Sequence, residues 1–208
     1  MFGLTKKELT VLKRLSTPIK IQDFLDATPR NYEKDGETYM SPRRVLREKK
    51  MHCFEGALLA ATALWLHGEK PLVLDLKATD DDDDHVITLY KRNGYWGAIS
   101  KTSHMVLRFR DPVYKTIREL VMSYFHEYTD SAFKHKTLRS HSKPFDLSKL
   151  GTAWITAEED LDSVAEAIDA VPHFPVIPKK NTRLIRRPDK MERRHAGILE
   201  WKKSDPRT

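Results

Sequence analysis

Met51-His52-Cys53-Phe54-Glu55-Gly56-Ala57-Leu58-Leu59-Ala60-Ala61-Thr62-Ala63-Leu64-Trp65-Leu66-His67-Gly68 is the stretch on which the reading of this chain turns. It forms one helix, closed by Gly68, and it is apolar on almost every face, so it is buried. Its first turn holds Cys53, the only cysteine of the 208 residues. Unpaired N–H groups and the helix dipole favour an anion at that end, which lowers a thiol pKa and yields a nucleophilic thiolate. Downstream, Asp84-His85-Val86-Ile87-Thr88-Leu89-Tyr90 opens an apolar strand with a histidine. Thiol and imidazole together suggest a Cys–His acyl-transfer site, with Cys53 as nucleophile and His85 as proton acceptor and donor.

The flanking segments give the organisation. Thr5 caps a helix to about residue 15, with Leu9, Leu12 and Leu15 at helical spacing. Thr17-Pro18 ends it, residues 19–27 form a second helix, and 28–39 is loop. Ser41-Pro42 starts a basic helix to about residue 49. Strands follow at 71–77, 85–90 and 95–101, the last two joined by Asn93-Gly94, a strong hairpin signal. An amphipathic helix is expected over 112–128, a polar stretch over 129–150, an acidic helix over 156–170 and an extended connector over 172–178. The order implies an α+β fold: a buried, Cys-bearing helix packed on a small antiparallel sheet, with additional helices.

A two-residue loop at Asn93-Gly94 sets the strand register. His85 then faces Thr102, Ile87 faces Ser100, and all four side chains share one sheet face. A triad needs a third group to orient the imidazole, usually Asp or Asn. Here Ser100 or Thr102 stands in that place, and a hydroxyl stabilises an imidazolium less than a carboxylate does. Asp111, in Arg108-Phe109-Arg110-Asp111-Pro112-Val113-Tyr114, is the nearest alternative carboxylate, although a helix-start role suits it better. The Cys53 N–H is the natural half of an oxyanion site, with a side chain of Asn31 or Tyr32 as the other half. Glu55 needs a partner inside an apolar helix, for which Arg43, Arg44 and Arg47 are candidates.

Cys53-Phe54-Glu55-Gly56-Ala57, then Gly68-Glu69-Lys70-Pro71-Leu72, Asp84-His85-Val86 and Gly94-Tyr95-Trp96-Gly97-Ala98 resemble, in order and spacing, the transglutaminase-like superfamily of the papain-like fold. The resemblance covers roughly residues 40–130. It implies a nucleophilic Cys on the helix and a His opening one strand, which map onto Cys53 and His85, 32 residues apart. The family's Asp on the neighbouring strand maps onto Ser100, 15 residues after His85. The implied function is cysteine-dependent acyl transfer to, or hydrolysis of, a peptide, amide or isopeptide bond through a thioester, with no cofactor or metal. The departure at Ser100 motivates a second reading, a catalytically degenerate domain that binds through the same cleft.

Composition bounds the rest. One cysteine excludes an internal disulfide and argues against a structural Cys-rich zinc site. The chain suits a single domain over 1–178, with a basic tail at 179–208. That tail holds eleven Lys/Arg and four Asp/Glu, which accounts for the whole net charge of +7 and leaves 26 charges of each sign in the body. It reads as solvated; nucleic-acid binding through it is the lesser possibility, since no nucleic-acid module accompanies it. No stretch is apolar enough to span a membrane and the N-terminus lacks a signal-peptide core, so a cytoplasmic location is expected. Asp80-Asp81-Asp82-Asp83-Asp84 reads as a solvated loop, without the spacing of a calcium site. Oligomeric state is not legible.

Overall fold

A computed structural model describes residues 1–33 and 36–199. In chain order these form α1 (Lys6–Arg14), α2 (Pro18–Ala27), α3 (Pro42–Glu48), α4 (Cys53–Leu66), β1 (Leu72–Lys77), β2 (His85–Arg92), β3 (Tyr95–Ile99) and β4 (Arg110–Tyr114). Then come α5 (Ile117–Met122), β5 (Ser140–Ser142), β6 (Phe145–Asp146), α6 (Asp162–Asp169), β7 (His173–Pro175) and α7 (Lys190–Ala196). Helices and an antiparallel sheet make an α+β architecture, with strand order β4-β3-β2-β1-β5-β7 and β6 also pairing with β1. None of the described helices is long and apolar enough to cross a membrane.

The N-terminal signals act as expected. Thr5 and Glu8 form a reciprocal cap on α1, Thr17 and Ser41 cap α2 and α3, and each of those caps is followed by proline in the first turn. The β2–β3 hairpin turns at Asn93 and Gly94, both at positive φ (51° and 87°), which the twist of a two-residue hairpin requires. Its register, Thr88 opposite Ile99 through Arg92 opposite Tyr95, is the one the sequence predicts.

α4 lies against the sheet, on the face carrying Val73, Val86, Tyr90 and Ile99. Residues 54–64 of it are all buried. The opposite face, with Leu74, Leu76, Ile87 and Leu89, is covered by Leu120, Val121, Tyr124 and Tyr128. The sheet is therefore buried on both faces. Thr88, central in β2, satisfies its hydroxyl by donating to the Ala57 carbonyl at 2.7 Å.

Gly56 lets α4 approach closely. A Cβ there would lie 2.6 Å from Lys101 Cβ and 2.8 Å from Leu25 Cδ2. Gly56→Ala gains helix propensity but overpacks this contact, one turn from Cys53. A net loss of about 1–3 kcal/mol is expected, read as a lower urea midpoint.

Three expectations need correction. The helix expected over 112–128 is confined to Ile117–Met122; Arg110–Tyr114 is instead the sheet's edge strand, and an edge tolerates Pro112 because one side of its backbone needs no ladder bond. Asp111 thus sits on a strand rather than at a helix start. The acidic helix spans only Asp162–Asp169, preceded by a 3₁₀ turn at Ala153–Ile155. Finally, the basic segment is not simply solvated over 179–199. α7 buries Ala196, the Ala196 carbonyl accepts from His104 Nδ1 at 3.0 Å, Met105 N donates to Ile198 O at 2.8 Å, and Lys136 pairs with Glu192 at 3.0 Å. Trp201 lies outside the described residues.

Candidate active site

Cys53 is the first residue of α4, half-buried at the floor of an open cleft of about 1030 Å³. His52 precedes it in extended conformation, and the Glu55 carboxylate reaches back to the His52 N–H at 2.9 Å. This return of the Glu55 carboxylate to the N-cap fixes the point at which the helix begins and so the position of the sulfur. The Cys53 N–H, at the first helical position, has no intrahelical acceptor.

Two imidazoles flank the thiol. His52 Nδ1 lies 3.9 Å from Sγ, while its Nε2 donates to the Thr38 carbonyl at 2.7 Å and lies 3.5 Å from Glu55 Oε1. His85, the first residue of β2, also acts on the sulfur and draws the thiol pKa down. Its Nε2 is 2.8 Å from Ser100 Oγ, and Ser100 Oγ in turn donates to the Leu107 carbonyl at 2.5 Å. Since the serine proton is committed to Leu107, the hydroxyl accepts from His85 Nε2–H. That assigns the tautomer and leaves Nδ1 for Cys53. Ser100 is itself clamped: Gln22 accepts from its N–H at 3.0 Å and donates to its carbonyl at 2.9 Å.

The electrostatics follow from this arrangement. Burial alone would push the Cys53 thiol up, but hydrogen bonds and charge from His52 and His85 hold it well below its ordinary range. For His52, burial favours the neutral ring; the sulfur, the Glu55 carboxylate and the Thr38 carbonyl outweigh it and bring the imidazole up to about 9. A thiolate beside a standing imidazolium is the ground state this geometry favours near neutral pH.

No family model matches this chain, and no curated protein matches it in sequence. The chemistry must therefore be argued from the residues themselves.

The structure brings Cys53, His85 and Ser100 together as the sequence expects. It separates the alternatives. Thr102 lines the cleft but its Oγ1 accepts from the His104 N–H at 3.0 Å, and Asp111 is exposed on the edge strand, where its charge acts on Tyr90. Neither oxyanion candidate serves. Asn31 is buried, its amide donating to Thr38 Oγ1 at 2.8 Å and toward both Glu55 oxygens at 3.4 Å. Tyr32 is exposed beneath the Arg30 guanidinium and does not line the cleft. The arginines proposed for Glu55 are engaged elsewhere: Arg43 with Glu8, Arg44 with Asp160, Arg47 with Glu48 and Glu158. Glu55, fully buried, is satisfied instead by the His52 and Met40 N–H groups, the Thr38 hydroxyl and Asn31.

His52 is the member the sequence reading missed. The signal was there: a residue before the helix, then Glu three positions into it, is the spacing of a reciprocal cap, with His in the place usually held by Ser or Thr.

For metals, Asp75, Asp169 and His173 bring ligand atoms within 4.8 Å of one another. However, the Lys77 ammonium already pairs with Asp169, and His173 Nε2 bonds Asp75 Oδ2 at 3.1 Å. Lysine supplies the cation there, and the group closes as an ion-pair cluster. In the acidic run, Asp82 accepts from Thr137 Oγ1 at 2.5 Å and Asp84 from the Ala78 N–H at 2.8 Å, so both order the β1–β2 loop.

Proposed function

We propose that this protein is a cysteine-dependent acyl-transfer enzyme of papain-like, transglutaminase-like fold, acting on a peptide, amide or isopeptide bond. The observation that carries the reading is the thiol at the start of α4, held anionic between two imidazoles, one of them oriented by Ser100. The Cys53 sulfur attacks the substrate carbonyl, forming a C–S bond as the carbonyl electron pair moves onto oxygen. The Cys53 N–H receives that oxyanion. His85 Nδ1, having taken the Cys53 thiol proton as the thiolate formed, passes that proton to the leaving nitrogen, the C–N bond breaks, and a thioester remains. His85 then takes a proton from water, or from an amine, as it attacks the thioester.

His52 has a separate part. Its pKa of about 9 and its anchoring to Thr38 and Glu55 make it a fixed positive charge beside the sulfur. His85 is thereby left to move protons. The working ion pair spans the window from the depressed thiol pKa up to about pH 9. A reducing, cytoplasmic setting would keep the lone Cys53 thiol reduced.

The second reading, a degenerate binding domain, is favoured by one observation: a hydroxyl, Ser100, orients His85 where the family has a carboxylate. An activated ester separates the two. With p-nitrophenyl acetate, an acetyl adduct on Cys53 that forms in a burst, turns over slowly and is removed by hydroxylamine is the expected result. Cys53→Ala should abolish it. A chain that stays unmodified at pH 7, or a Cys53→Ala variant that keeps the burst, contradicts the enzyme reading.

A further inference from the structure

We infer that the Cys53 cleft takes a cationic substrate: a peptide segment with lysine or arginine close to the carbonyl that Cys53 attacks. This deepens the function proposed above by naming the charge of its substrate.

The whole chain is basic, yet its cleft is acidic. Among the described residues lining it, ten are Asp or Glu and three are Lys or Arg. Asp80, Asp82, Asp83 and Asp84 form one wall, and Glu166 and Asp169 of α6 contribute another. Asp84 directly precedes His85, so the acidic wall begins one residue, about 3.8 Å along the chain, from the imidazole that serves the sulfur.

The cleft's own cations offset only part of this charge. Lys77 is engaged by Asp169 and Asp84, and the Lys101 ammonium is buried against the Leu25 and Thr28 carbonyls. Arg30 donates to Ser103 Oγ and lies over the Tyr32 ring. Neighbouring groups register the field that remains. Asp82 is pushed up by burial and by Asp83 and Asp130; the Tyr128 hydroxyl, in the same cleft, is pushed well up by burial and then by Asp82, Cys53, Asp84 and Asp75. Thr79, in the same wall, adds a polar contact point. Its Oγ1 is a buried side-chain oxygen without a hydrogen-bond partner among the described residues.

A low-dielectric cleft of one sign concentrates the opposite charge by factors of roughly 10–10³, and salt screens the effect. Anionic segments are repelled by the same wall.

The test is protection of Cys53 from iodoacetamide, a neutral reagent, at pH 7.5 in low salt, with blocked tetralysine, tetraglutamine or tetraglutamate as competitor. Labelling is followed by intact mass and compared between peptides within each variant. Tetralysine is expected to slow labelling on the order of tenfold relative to tetraglutamine, and about 0.5 M salt to erase the difference. In an Asp80→Asn/Asp83→Asn variant, which neutralises two exposed side chains, the tetralysine effect should fall several-fold. Equal protection by all three peptides, stronger protection by tetraglutamate, or an unchanged tetralysine effect in the double variant overturns the inference. The readout is occupancy of the cleft. Failure here leaves the acetyl-adduct result standing, and failure of that chemistry leaves the charge preference intact.

Discussion

Glu55→Ala should be the most damaging single substitution near the site, unfolding the protein or lowering its stability by about 3–5 kcal/mol. The carboxylate is fully buried and is the common acceptor for the His52 and Met40 N–H groups and the Thr38 hydroxyl. Removing it strands those donors in a dry interior and leaves His52 with Glu33, 3.6 Å away, as its one remaining carboxylate neighbour among the described residues. Glu55→Gln separates shape from charge. Gln keeps the volume and one acceptor oxygen but brings two hydrogens into a pocket built of donors. The loss should be smaller than for alanine, and the His52 pKa should fall because one of its counter-charges has gone. Urea unfolding measures the first effect; NMR titration of the His52 ring measures the second. A Glu55→Ala protein as stable as the wild type would mean that the buried network does not anchor the start of α4.

Apart from loss of the Cys53 nucleophile itself, His85→Ala should produce the largest kinetic effect among substitutions that keep the fold, slowing acyl transfer from an activated amide by about 10²–10⁴. The acceptor and donor of the proton disappears, while Cys53 and His52 remain. Ser100→Ala should cost less, since it frees the ring without removing it. Ser100→Asp is more telling. By family resemblance a carboxylate at this position is favourable, yet here Ser100 Oγ donates to the Leu107 carbonyl. Aspartate would set a negative charge against that oxygen with no proton to give. Impaired folding rather than faster turnover is expected, checked by thermal unfolding beside the rate.

How much of this was legible in the sequence depended on whether a signal was local. Asn93-Gly94 fixed one register, and that register carried Ser100 to His85, because a hairpin's geometry is determined by its turn. The apolar run after Cys53 announced the buried helix. By contrast, Arg110–Tyr114 has a helix-compatible pattern, and only the open edge of β3 makes it a strand, so tertiary context overrode local preference. Glu55 was recognised as needing a partner but was given the wrong ones. Charge suggests arginine, whereas the actual partners are backbone N–H groups of Met40 and His52 and the side chains of Asn31 and Thr38, which no sequence period links to Glu55. His52 is legible only through its pairing with Glu55 at the start of α4, a position usually held by Ser, Thr, Asp or Asn. The basic C-terminal segment looked solvated by composition, and its docking rests on backbone bonds at 104–105 and 196–198 that composition does not encode.

The central claim is that Cys53 is a thiolate held by two imidazoles, and its most direct test is the rate of iodoacetamide alkylation against pH. The single cysteine makes the signal unambiguous. The account predicts an apparent thiol pKa well below the unperturbed value of about 8.5, rising in His85→Ala and again in His52→Ala. A thiol that titrates at about 8.5 or higher and responds to neither substitution would contradict it, leaving Cys53 as a residue of the core.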